Sequence, residues 1–195
     1  MVQSLTRLAG LVVDGAVVLR DTLGTNSRGR TADLERLRGI EGEARAMHAE
    51  IVGLARDAFV TPFDRGDLQQ LSVRLVESVT RMEAVVDGGI RHGIDESPEG
   101  AARLVDAVVR LAELTAQAMA NLGSVDLVSG YPSEARRLTQ QAERARRDIM
   151  TEALRDRVDP LVALRTVSVT EQITLAVRCF EQVAAVVEGI VVKES

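Results

Sequence analysis

Aromatic residues make up only 2% of this 195-residue chain, with no Trp and a single Tyr. Sheet faces and nucleic-acid stacking platforms both draw on aromatics, so their scarcity argues for aliphatic helices. Cys179 is the single cysteine. That excludes an intrachain disulfide and any CxxC or thiolate metal cluster, and it suits a reducing cytoplasm. Positive charge is not in excess either: 24 Lys and Arg stand against 29 Asp and Glu, a formal net charge of −5. No global field draws phosphate backbones or anionic lipid, so nucleic acid is not an expected partner. Long uninterrupted apolar runs are missing as well. Arg7, Asp14 and Arg20 break the stretch from Leu5 to Leu23, Glu188 breaks Val183 to Val192, and no cleavage-site pattern follows a basic start. The expectation is a chain with neither signal peptide nor membrane span.

What is present is a helical pattern. Hydrophobic residues reach 46% and charged residues 27%, the balance of a folded domain rather than a disordered one. Leu5, Leu8, Val12, Ala16, Leu19 and Leu23 recur at three- and four-residue intervals, which places them on one helical face. Gly24 and the turn-forming residues after it stop that helix, and Thr31 is the expected cap of a second, carrying Leu34, Leu37, Ile40, Ala44, Met47, Ile51 and Leu54 inward. Thr61-Pro62 ends it, because proline disfavours helix at the residue before it. Asp64 is the expected N-cap of a third helix, with Asp67 in a capping-box-like position. Gly88-Gly89 is expected to close that helix, and Ser97-Pro98-Glu99 to open a fourth. A fifth follows through Leu138, Ala142, Ala145, Ile149 and Ala153, and Asp159-Pro160 opens a sixth running to about Lys193. The β-branched cluster at Val167, Val169 and Thr170 marks a bend in it.

The fold class is therefore all-α. Six long helices are arranged as two similar antiparallel three-helix bundles packed together, residues 1–90 and 97–195 of a single unit. Phe59 and Phe63 are expected to staple the corner between the second and third helices.

The stretch from Phe59 to Leu71, FVTPFDRGDLQQL, resembles the signature of PhoU-like proteins, in particular the branch accessory to Pit-type phosphate transporters. There an F-x-T-P-x-D-R-x-D pattern joins two bundle helices. Glu41-Gly42-Glu43-Ala44 lies before it at the family's spacing, His92 to Pro98 follows, and Val158-Asp159-Pro160 and Glu188 to Lys193 match later landmarks. The resemblance implies a non-enzymatic, cytoplasmic regulator that contacts a phosphate transporter or its signalling protein at the inner membrane face. A rigid corner bearing Thr61, Pro62, Asp64, Arg65 and Asp67 is the candidate partner-binding segment.

Members of this family often hold iron or zinc on E-x-x-x-D pairs of facing helices, since positions four apart share a face. This chain departs from that pattern. Four residues after Glu41 stands Arg45. The third-helix cluster falls at Val76, Glu77 and Thr80, and the second half offers Thr139 with Glu143, then Thr174, Arg178 and Glu181. Glu41, Glu77, Glu143 and Glu181 are the residual metal candidates, and the competing expectation is that they pair with arginines, leaving no cofactor. An iron- or zinc-binding bundle, or a structural module that forms a homodimer through an apolar face, are the alternative functions. No nucleophile elbow surrounds any Ser, and no phosphate-binding loop occurs, so an enzyme is not expected.

Overall fold

The computed structural model describes residues 1–25, 27–61, 63–94, 97–98, 100–155 and 158–194. The helices are α1 (Val2–Thr22), α2 (Ser27–Asp57), α3 (Arg65–Arg91), α4 (Ala101–Ala120), the single turn α5 (Val125–Val128), α6 (Tyr131–Ala153) and α7 (Pro160–Glu194). Among the described residues there is no strand. Helices α1, α2 and α3 pack on one another, as do α4, α6 and α7, and the halves join where α1 meets α4 and α3 meets α7. First helix thus faces first helix across the seam, and third faces third.

The apolar stripes read from the sequence supply the core, apart from Leu54 of α2, which is exposed. Leu5, Leu8, Val12, Ala16 and Leu19 of α1, Leu68, Leu71, Leu75, Val79 and Met82 of α3, and Phe180, Val183 and Val187 of α7 are all buried. By length and composition α1 could cross a membrane. Its apolarity has another outlet here, because it contacts α2, α3 and α4, and a helix enclosed by neighbours needs apolar residues around much of its circumference. Gly15 is one position where size matters: a Cβ there would lie 3.4 Å from Met82 Sδ and 3.7 Å from Leu37 Cδ2.

Several boundaries fall elsewhere than the local signals indicate. Thr31 is not a cap, since α2 already begins at Ser27. The buried Arg30 guanidinium donates to the Ile94 carbonyl, and that tertiary bond lies on the extra helical turn. Gly88 and Gly89 sit inside α3, which runs on to Arg91; Gly93 at φ +60° makes the left-handed exit. Ser97 and Pro98 precede α4 without belonging to it, and the expectation for Glu99 lies outside the described residues. Gly100 is the N-cap at φ +85°, a conformation glycine adopts without the Cβ clash other residues meet. A Cβ there would also lie 3.1 Å from Ile149 Cγ1. The sixth long helix is one assigned element from Pro160 to Glu194.

Candidate functional site

The corner between α2 and α3 is built from its own side chains. Asp64 Oδ1 accepts from the backbone N–H groups of Gly66 at 2.8 Å and Asp67 at 3.3 Å, so the expected N-cap is formed. Two of the first-turn donors that a helix leaves unpaired are thereby satisfied. Replacing Asp64 by Ala should cost about 1 kcal/mol of stability. A urea midpoint unchanged by that substitution would contradict the capping role.

Arg65 folds back over the turn, its Nη2 donating to the Ala58 carbonyl at 2.7 Å. Asp67 is buried, and instead of closing a capping box its Oδ2 accepts from Lys193 Nζ at 2.7 Å. That bond joins the start of α3 to the end of α7 across 126 positions of sequence. Its partner is the only lysine in the chain, and the Asp67 carboxylate raises the ammonium's pKa above its ordinary range. Thr61 is half-buried, and Pro62 lies outside the described residues.

The expected Phe59–Phe63 staple is not made. Phe63 is partly buried against the core, whereas Phe59 is 99% exposed and Val60 77% exposed. The physical reason lies in the geometry of the motif, which pairs the residue before the cap with the fourth helical residue. With Asp64 as cap those positions are Phe63 and Leu68, and Leu68 is fully buried. Phe59 has no place in that pair. The corner therefore presents an apolar tip to solvent, held from below by the Asp64 cap and the Arg65 bond.

Three of the four acids considered for iron or zinc are engaged by cations or hydroxyls. Glu41 Oε1 accepts from Arg45 Nη2 at 2.7 Å and from Thr80 Oγ1 at 2.6 Å. Partial burial pushes the Glu41 carboxyl upward, but the Thr80 hydroxyl and Arg45 guanidinium outweigh it and hold it below its ordinary value. Glu77 bonds Arg74 at 2.8 Å and Arg81 at 3.3 Å. The Arg74 bond, acting against partial burial and reinforced by Arg81, keeps its carboxyl low as well. Glu143 pairs with Arg146 at 2.9 Å. Glu143 and Glu181 do come together, lining a narrow crevice between α6 and α7 with Thr174 and Arg178.

Thr139 and Thr174 are buried and donate to the carbonyls of Arg136 and Thr170. Among the described residues no three of His, Cys, Asp and Glu converge as metal ligands. A cation brought to Glu41, Glu77 or Glu143 would meet a guanidinium first, so these three acids are poorly suited to iron or zinc.

Each histidine lies beside a serine of another helix. His48 Nδ1 lies 2.8 Å from Ser72 Oγ, and the exposed His92 has Nδ1 3.4 Å from Ser168 Oγ. Arginines of α6 are partly tied down, Arg137 to Glu134, Arg136 to Glu188 and Arg146 to both Glu143 and Glu171. Cys179 is buried.

No family model matches the sequence. Over 109 residues, 56% of this chain, it is 29% identical to the "Putative pit accessory protein" of Rhizobium meliloti (strain 1021), a match covering 48% of that protein. The chain thus spans about half the length of this curated relative. Among solved structures it is similar to a PhoU-like protein from Shewanella oneidensis MR-1, with a TM-score of 0.83, 15% identity, and 99% and 100% of the two chains covered. A second Shewanella oneidensis MR-1 structure, titled a "putative PhoU-like phosphate regulatory protein", gives a TM-score of 0.82 at 15% identity over 98% and 99%. The all-α fold of two three-helix bundles is the PhoU-like fold.

Proposed function

Starting from a PhoU-like protein akin to a pit accessory protein, we propose that this chain regulates or assists inorganic phosphate transport without catalysing a reaction. It acts by contact with a phosphate transporter or its signalling protein at the cytoplasmic face of the inner membrane. The observation that carries this reading is the α2–α3 corner, where Phe59 stands 99% exposed beside Val60 on a turn fixed by Asp64 and Arg65. Exposed aromatic anchors on rigid supports are what protein partners bury, since little ordering entropy is lost when they dock. The names carried by the relatives give the transport context.

The chain works as one cytoplasmic unit with no iron or zinc, because Glu41, Glu77 and Glu143 are already committed to arginines. The test is capture of the transporter from detergent-solubilised membranes, together with phosphate uptake in a strain lacking the gene. The intact chain should recover the transporter, and Phe59→Asp should lose at least tenfold in recovery with an unchanged unfolding midpoint. Uptake that is identical with and without the gene, combined with no recovered transporter, would overturn the proposal.

A further inference from the structure

We draw no further inference here: the strongest candidate, the groove of about 370 Å³ between the end of α3 and the first turns of α7, lined by His92, Leu161, Leu164, Arg165 and Ser168, carries nothing because nothing in the structure shows what covers it.

Discussion

Replacing Phe180 by alanine should destabilise the protein by about 3–5 kcal/mol, the range for deleting a fully enclosed aromatic side chain. Phe180 is completely buried on α7, the helix through which α3, α4 and α6 are held together. The loss combines the transfer term of the ring with the cavity left behind, and helices packed on several sides cannot collapse freely into that space. Phe59→Ala provides the contrast. A ring that is 99% exposed contributes almost nothing to folding, so its removal should shift stability by no more than about 0.5 kcal/mol. Urea titrations of both variants give the answer directly. Comparable losses at the two positions would mean that the Phe59 ring is covered in solution.

Alkaline pH should unfold the protein, and a single thiol should account for much of the effect. Burial pushes the Cys179 thiol up from about 9 to about 12, and the nearby Glu77 carboxylate adds to the shift. A group whose pKa is higher in the folded state is protonated there while the unfolded chain has already lost its proton. Its contribution is therefore fully present below pH 9 and drains away as pH climbs toward 12. Linkage caps that loss at about 4 kcal/mol. Tyr131 works in the same direction at still higher pH: burial raises its hydroxyl, offset only in part by the bond to Thr115 at 2.9 Å. Unfolding midpoints measured at successive pH values from 8 to about 11 should fall steeply. In Cys179→Ala the decline between pH 9 and 11 should be much shallower, and an unaltered slope would remove the thiol from this account.

How much of this was legible in the sequence depends on whether a residue's role is local or tertiary. Asp64 announces itself as a cap because the need it meets, unpaired N–H groups at a helix start, arises within its own next three residues. The aliphatic stripes are legible for the same reason, since period alone assigns them a face. The pairing of Glu41 with Arg45 could be read from their spacing of four.

The failures share the opposite character. Thr31 has the residue type of a cap, but the helix starts a turn earlier, where Arg30 bonds Ile94 more than sixty residues away. Asp67 has a capping-box position, yet its partner is Lys193 at the far end of the chain. Two phenylalanines near a proline suggest a contact between them, which the corner does not make. The register from Asp64 names Leu68 as the staple partner and frees Phe59. The exposure of Leu161 and Leu164 left no trace in the pattern, because they continue an apolar run whose later members are core.

The unbroken course of α7 has one more consequence. The helix continues unbroken through its β-branched stretch, where Val169 and Thr170 are enclosed. With 35 residues at 1.5 Å each, α7 is a strut about 52 Å long. It carries Leu161 near one tip and Lys193 near the other. One helix that reaches both ends of the bundle sets the span a partner must cover to touch Leu161 and Lys193 together.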